Sequence, residues 1–162
     1  MAFNSFEFLV FFPIVVLIFF IIPKKARKIW LLIASYYFYM SWNPKYALLI
    51  AFSTAITYIS GMLIASSSLH LKKVWVYLSF IINLSILIYF KYLDFIIDNL
   101  NRLLNSFGFN IISKSFDLLL PVGISFYTFQ ALSYTVDVYR GEIKAEKNFL
   151  KYALFVSFFP QL

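Results

Sequence analysis

The chain has 162 residues, of which 62% are hydrophobic and only 13% are charged. Soluble domains hold about 45–50% apolar and about 25% charged residues, so this composition excludes an ordinary soluble domain and indicates a membrane protein. Because the sequence lacks cysteine, disulfides, zinc–thiolate sites and cysteine nucleophiles are excluded. The single histidine excludes a multi-histidine metal site within the chain, and we predict no metal site.

Charged residues divide the chain into apolar blocks that predict transmembrane helices. A helix needs about 20 apolar residues to span a bilayer. The blocks comprise residues 8–22, 29–42, 46–69, 74–90, 118–136 and 149–162. The second block is short, although residues 44–49 would extend it, and the sixth is only partial. The sequence therefore predicts an all-α, polytopic transmembrane protein with five to six spans, in which residues 1–162 form one continuous domain or part of one.

The basic residues are distributed unevenly, and their distribution predicts the orientation of the chain. Cytoplasmic loops of membrane proteins carry an excess of Lys and Arg. With the N-terminus outside, residues 23–28, 70–73 and 137–151 face the cytoplasm and hold four, two and four of the fourteen basic residues. The others are Lys45, Lys91, Arg102 and Lys114. We predict a multi-pass protein of the cytoplasmic membrane with its N-terminus outside. The net charge of +7 then reflects topology rather than nucleic-acid binding.

The segment after the fourth block has the pattern of an amphipathic helix. Its apolar face comprises Leu93, Ile96, Ile97, Leu100, Leu103, Leu104 and Phe107. Its polar face comprises Asp94, Asp98, Asn101, Arg102 and Asn105. We predict that this helix lies flat in the outer interface of the bilayer and stops at Gly108. Packing against other parts of the protein is the alternative.

Two isolated polar residues are candidates for chemistry. His70 has no nearby carboxylate in the sequence to orient its ring as a general base, so we interpret it as a solvated loop histidine. Asn83 falls near the middle of the fourth block, where an amide is costly unless it has a partner. We predict that Asn83 bonds a neighbouring helix rather than a substrate.

Small residues recur along the third block. Ala47, Ala51 and Ala55 lie four residues apart and are followed by Gly61 and Ala65. Small residues at this spacing let helix backbones approach closely. We interpret the stripe as a packing surface.

Residues 121–142 carry the most unusual pattern. Pro121 and Gly123 weaken regular helix at the start of this segment. The polar candidates that follow are Ser125, Thr128, Gln130, Ser133, Tyr134, Thr135, Asp137, Tyr139 and Arg140. A helix that lines a polar cavity benefits from such groups, whereas a helix that faces lipid does not. Asp137 and Arg140 are spaced to pair on one helical face. From the residues alone, cavity lining and an interfacial cap remain alternatives.

The same segment resembles the membrane-bound O-acyltransferase family. The resemblance is carried by residues 120–130, and then by Ser133, Tyr134, Asp137, Tyr139, Arg140 and Gly141. Shorter similarities follow the same order along the chain, at residues 3–5 with Phe8, 41–46, 89–92 and 155–162. The sequence looks most like the bacterial branch that acetylates exported polysaccharides such as alginate.

This resemblance implies a helical protein that surrounds a cavity through the bilayer. Members of the family transfer an acyl group from a cytoplasmic donor to an acceptor outside. For the polysaccharide branch, the resemblance implies an acetyl group and acetyl-coenzyme A as its donor. The partners that we expect are the lipid bilayer and either an exported polysaccharide or an extracytoplasmic protein that relays the acetyl group.

The resemblance places the catalytic residue outside this chain. The family's catalytic histidine follows the motif that matches residues 158–162, so His70 does not inherit its role and we expect no catalytic residue here. We therefore expect the chain to be the N-terminal part of a larger enzyme, an incomplete half of its fold, and inactive alone. The alternative is a non-catalytic transport or assembly subunit that keeps the first half of the fold.

Overall fold

The computed structural model describes residues 4–106 and 123–161. The helices of these residues are α1 (Phe6–Ile21), α2 (Arg27–Met40), α3 (Pro44–Ser66), α4 (Leu69–Lys91), α5 (Leu93–Asn105), α6 (Ile124–Arg140), α7 (Phe149–Ser157) and a 3₁₀ turn (Phe159–Gln161). All regular structure in the described residues is helical, which confirms the all-α prediction.

Local sequence signals explain several of the helix boundaries. Ser5 caps α1, because its hydroxyl accepts a hydrogen bond from a backbone N–H of the first turn at 3.2 Å. Asn43 caps α3 in the same way, and Pro44 occupies the first turn, where a missing N–H removes no helical bond. Gly123 and Gly141 flank α6 with φ angles of 72° and 78°, a left-handed conformation that glycine adopts without strain.

Among the described residues, α3 and α4 are long and apolar enough to cross a membrane, with 23 residues each. The apolar helix α1 is shorter, at 16 residues. α7 has nine residues and a length of about 14 Å, against a hydrocarbon thickness of about 30 Å. Helix length thus supports a membrane protein and leaves the predicted count of five to six spans as a prediction.

Two predicted block boundaries are wrong. The loop placed at residues 70–73 is instead the connection Ser67–Ser68, whose backbone is extended, and α4 begins at once with Leu69. His70, Lys72 and Lys73 therefore lie within the first five residues of α4. Lysines are compatible with this position because their long side chains reach water from a helix end. Residues 44–49 do not extend the second block, since the cap at Asn43 starts a new helix.

The core lies where α3, α4 and α6 pack together, with α2 and α7 against α3. Its buried apolar residues are Tyr39, Ala47, Ile50, Ile64, Leu87, Ile124, Tyr127, Ala131, Tyr134, Val138, Tyr152 and Val156. A smaller cluster joins α1, α2 and the 3₁₀ turn through Val15, Ala34, Phe38 and Phe159. These contacts fix the positions of α6 and α7, which carry the candidate site.

The small-residue stripe of α3 lies only partly on the packing surface. Ala47 and Gly61 are buried, but Ala51 and Ala55 are half-buried and Ala65 is exposed. The rest of the buried face is formed by Tyr46, Ile50, Ser53, Thr54, Thr57, Ser60 and Ile64. A strict four-residue spacing drifts around a helix of 3.6 residues per turn, so the stripe leaves the contact face.

The amphipathic helix is confirmed as α5, which packs on α4 and buries none of its residues. Of its predicted apolar face, Ile96, Leu100 and Leu103 are exposed. Such a face is typical of a helix that lies in a membrane interface, and that location stays a prediction. Phe107 and the predicted stop at Gly108 lie outside the described residues.

Candidate functional site

One face of α6 forms the wall of an open groove with a volume of about 500 Å³. Four of the predicted polar residues line it, namely Gln130, Ser133, Tyr134 and Asp137. Ser133, Tyr134 and Asp137 follow Gln130 by three, four and seven residues, which places all four on one helical face. The other lining residues are Phe126, Phe129, Ile143, Phe155 and Gln161. The groove thus combines aromatic walls with amide, hydroxyl and carboxylate groups, which can hydrogen-bond a polar ligand.

Gln130 joins the groove wall to α7. Its Nε2 donates a hydrogen bond to the backbone oxygen of Phe155 at 2.9 Å. This bond fixes which end of the amide is the donor, and it leaves Oε1 as the acceptor of a side chain that lines the groove. The side chain is therefore oriented before any ligand arrives.

The predicted ion pair between Asp137 and Arg140 is wrong within the described residues. Instead, Nη1 of Arg140 lies 3.7 Å from Oε1 of Glu142, and both side chains are exposed. The reason is the turn at Gly141, in which the Glu142 N–H donates to the carbonyl oxygen of Asp137 at 3.0 Å. That turn brings Glu142 beside the last turn of α6, and the Asp137 carboxylate remains part of the groove lining.

Tyr134 connects α6 to the irregular segment of residues 141–148. Its hydroxyl accepts a hydrogen bond from the backbone N–H of Glu146 at 2.9 Å. Its ring centroid lies 4.5 Å from that of Tyr152. Tyr134 also lies against Gly61 of α3, where an added Cβ would lie 2.7 Å from the ring atom Cε1. Only glycine leaves room for this approach.

Two further tyrosines, which were not among the predicted candidates, join α3 to α7 and to the 141–148 segment. The Tyr152 hydroxyl donates to Oγ1 of Thr57 at 2.8 Å, and the Tyr58 hydroxyl donates to the backbone oxygen of Lys147 at 2.6 Å. The sequence does not predict the partner of Tyr152, because Thr57 lies 95 residues earlier on another helix.

Glu146 and Lys151 form an ion pair at the start of α7. The hydrogen bond that the Lys151 ammonium donates to the carboxylate lowers the pKa of Glu146 below its usual range. The backbone N–H of Asn148, 3.1 Å from Oε1, acts in the same direction. The pair thus ties the end of the 141–148 segment to α7.

We expect Glu146→Gln to lower the unfolding temperature slightly at neutral pH and not in acid. Because the folded-state pKa is lowered, the stabilisation is present above the ordinary pKa of a carboxylate and is lost as pH falls through the lowered value. The side chains are partly exposed, so the effect is small. Thermal unfolding in detergent from pH 7 to pH 2 measures it, with Asp98→Asn on α5 as the control. A pH-independent difference would contradict the assignment.

None of the other predicted residues that the structure describes lines the groove. Ser125 accepts a hydrogen bond from the Lys91 ammonium at 3.0 Å, which joins α6 to the end of α4. Thr128 and Thr135 are buried, and Thr135 donates to the carbonyl of Ala131 at 3.1 Å. The remaining cases are Tyr139, which is half-buried, Arg140, which is exposed, Gly123, which starts α6, and Pro121, which lies outside the described residues.

The prediction for Asn83 is confirmed. Its Oδ1 accepts a hydrogen bond from the Ser53 hydroxyl at 2.5 Å, and its Nδ2 donates to the backbone oxygen of Ser79 at 2.8 Å. All three residues are buried between α3 and α4. Asn83 therefore joins two apolar helices and does not line the groove. His70 is exposed and does not line it either.

The chain aligns over its whole length with curated bacterial proteins. It is 39% identical to the probable alginate O-acetylase AlgI of Pseudomonas aeruginosa and 38% identical to that of Azotobacter vinelandii, each over 165 residues. Over 94% of its length it is 34% identical to the peptidoglycan O-acetyltransferase of Helicobacter pylori. The chain belongs to the membrane-bound O-acyltransferase family. It covers 32%, 33% and 34% of these three relatives, about a third of their length.

This membership confirms the family resemblance that the sequence predicts. No family model and no solved structure matches the chain. The segment that carries the densest resemblance includes the four polar residues of the α6 groove. The groove is therefore the candidate functional site within the described residues.

Proposed function

We propose that this chain is part of a membrane O-acetyltransferase that moves acetyl groups across the cytoplasmic membrane onto an exported polysaccharide. The observation that carries the proposal is that all or nearly all of this chain is similar to part of proteins named for the O-acetylation of alginate and of peptidoglycan. Both named acceptors are polymers with sugar hydroxyls. The donor that we propose is acetyl-coenzyme A, whose thioester is exchanged for an oxygen ester while the thiol leaves.

Within such an enzyme, we assign the α6 groove to part of the wall of the transfer cavity. The Ser133 hydroxyl can donate a hydrogen bond to an acyl carbonyl, and Oε1 of Gln130 can accept one from a sugar hydroxyl. The Asp137 carboxylate can accept from a hydroxyl of the acceptor. These residues bind and orient, and the bond-making step belongs to the histidine that the resemblance places beyond residue 162. An acceptor protein that relays the acetyl group would use the same cavity.

We also propose five to six spans with the N-terminus outside. The pairs Gly61–Tyr134 and Lys91–Ser125 show which helix ends lie together. The end of α3, the start of α4 and the end of α6 share one end of the bundle, where the cations of residues 70–73 and 140–147 gather. This concentration of positive charge supports a cytoplasmic location for that end.

Single cysteines should report this topology without background, because the chain has no cysteine of its own. In intact cells, we expect Arg102→Cys on α5 to react with a membrane-impermeant maleimide. Ser68→Cys and Lys147→Cys should react only after the membrane is permeabilised. All three positions are exposed, so lack of labelling would not reflect burial in the fold. The opposite labelling pattern would overturn the N-out orientation.

In a whole protein of the relatives' length, Gln130→Leu and Asp137→Ala should each lower acetyl transfer by about tenfold or more. Each removes a hydrogen-bonding group that orients a reactant, and misorientation alone costs up to about a hundredfold. The measurement is the ester-linked acetate released by mild base from the exported polysaccharide of cells that carry the variant. Membrane levels of each variant are compared by immunoblot.

Ser85→Ala is the matched control, because this exposed residue of α4 lies away from the groove. Unchanged acetylation with both groove variants would return the α6 face to a structural role. If removal of the whole protein leaves the acetate content unchanged, the enzyme proposal fails. In that case, loss of polysaccharide export would favour the non-catalytic transport or assembly subunit.

A further inference from the structure

A second groove, separate from the one on α6, is lined only by apolar groups. It has a volume of about 350 Å³ and lies between α1, α2 and the 3₁₀ turn. Phe12, Val16, Phe19 and Phe20 of α1 form one wall, and Leu31 of α2 faces them. A polar ligand group here would lose its hydrogen bonds to water without replacement. Hydrocarbon is the chemistry that this lining accepts.

A cluster of cations lies at one end of this apolar groove. Arg27 precedes Leu31 by one helical turn on the same face of α2. Its guanidinium carbon lies 4.9 Å from the ring centroid of Phe19, and its Nε donates to the carbonyl of Ile22 at 3.4 Å. These contacts place the guanidinium at the mouth of the groove. The neighbouring cations are Lys24, Lys25 and Lys28.

This cation cluster has no carboxylate partner among the described residues, where the ion pairs are Arg140–Glu142 and Lys151–Glu146. Positive charge next to a hydrocarbon-lined groove complements one kind of molecule at a membrane surface. An anionic phospholipid carries both an apolar chain and a negatively charged headgroup. A free phosphate would leave the groove empty, and a zwitterionic lipid would bring a second positive charge, on its headgroup ammonium, next to these cations.

We propose that the groove between α1 and α2 binds one acyl chain of an anionic phospholipid, whose headgroup phosphate is held by Arg27 and Lys28. The site requires only that the protein lie in a membrane, and it does not depend on the proposed acetyl transfer. The bound lipid fills the space between α1 and the rest of the bundle. It thereby adds to the contact that the Trp30 indole makes by donating to the Val15 carbonyl at 3.0 Å.

Native mass spectrometry of the chain in detergent tests the proposal. Phosphatidylglycerol and phosphatidylcholine with identical acyl chains are titrated separately. We expect one phosphatidylglycerol to bind with clear preference. Arg27→Gln combined with Lys28→Gln should weaken its binding by about fivefold for each cation removed and weaken phosphatidylcholine binding less, because the choline ammonium offsets the charge of that lipid's phosphate. Val16→Trp, which fills the groove, should weaken the binding of both lipids.

The matched control variants carry substitutions on α4. Lys72→Gln with Lys73→Gln removes two cations at the same end of the bundle, and Val74→Trp places an indole on an exposed face. Neither should change the preference. Equal binding of the two lipids, equal losses in the control variants, or displacement of the lipid by inorganic phosphate would each overturn the proposal. Circular dichroism checks the fold, and if Val16→Trp unfolds, the charge variants decide the question alone.

Discussion

Gly61→Ala should destabilise the helix bundle by about 1–3 kcal/mol, the usual cost of forcing extra volume into a packed interior. The added methyl group would lie 2.7 Å from Cε1 of Tyr134 and 3.0 Å from its hydroxyl oxygen. The ring cannot simply retreat, because the Tyr152 ring lies 4.5 Å away and the hydroxyl bonds the N–H of Glu146. The measurement is the unfolding temperature of the purified chain in detergent, followed by circular dichroism.

Two controls isolate the clash at Gly61. Ala65→Leu adds more volume one turn later on α3, at an exposed position, and should change stability by less than about 0.5 kcal/mol. In a Tyr134→Ala background, Gly61→Ala should cost much less than in the unsubstituted chain, because the ring that it meets is gone. Equal costs in the two backgrounds would show that the ring contact is not the cause.

The helices and their polar faces were predictable from the sequence because both depend on local spacing. The faces of α5 follow directly from the positions of its charged and apolar residues. The split of the α6 candidates follows from the same periodicity. Gln130, Ser133 and Asp137 share one face, whereas Thr128 and Thr135 lie on another and are buried. The candidates therefore do not form one set, because only those on the first face line the groove.

The partners of the polar groups were not predictable, since they depend on how distant helices pack. The sequence shows that Asn83 needs a partner, but Ser53 lies 30 residues away on another helix. The approach of Tyr134 to Gly61 is likewise a property of the assembled bundle. The charged residues also did not predict the start of α4, because the lysines near its start are compatible with helix.

Ser133→Trp should nearly abolish acetyl transfer by the whole protein if the α6 groove is the wall of the transfer cavity. Ser133 is an exposed groove residue, so a larger side chain fills the groove instead of disturbing the core. A displaced reactant loses its alignment with the reacting atoms, and a misplacement of about 1 Å already costs on the order of a hundredfold. Ester-linked acetate on the exported polysaccharide is again the measurement.

The size of the side chain at position 133 is what separates a cavity wall from a packing surface. Ser133→Ala removes the hydroxyl and keeps the space, so we expect it to lower transfer far less than Ser133→Trp. Ser85→Trp adds the same indole to an exposed face of α4 outside the groove and should leave transfer unchanged. If Ser133→Trp also transfers acetyl at the unsubstituted rate while present in the membrane, ligand does not pass along this face. The polar residues of α6 would then serve to hold α7 and the 141–148 segment, through the bonds that Gln130 and Tyr134 already make.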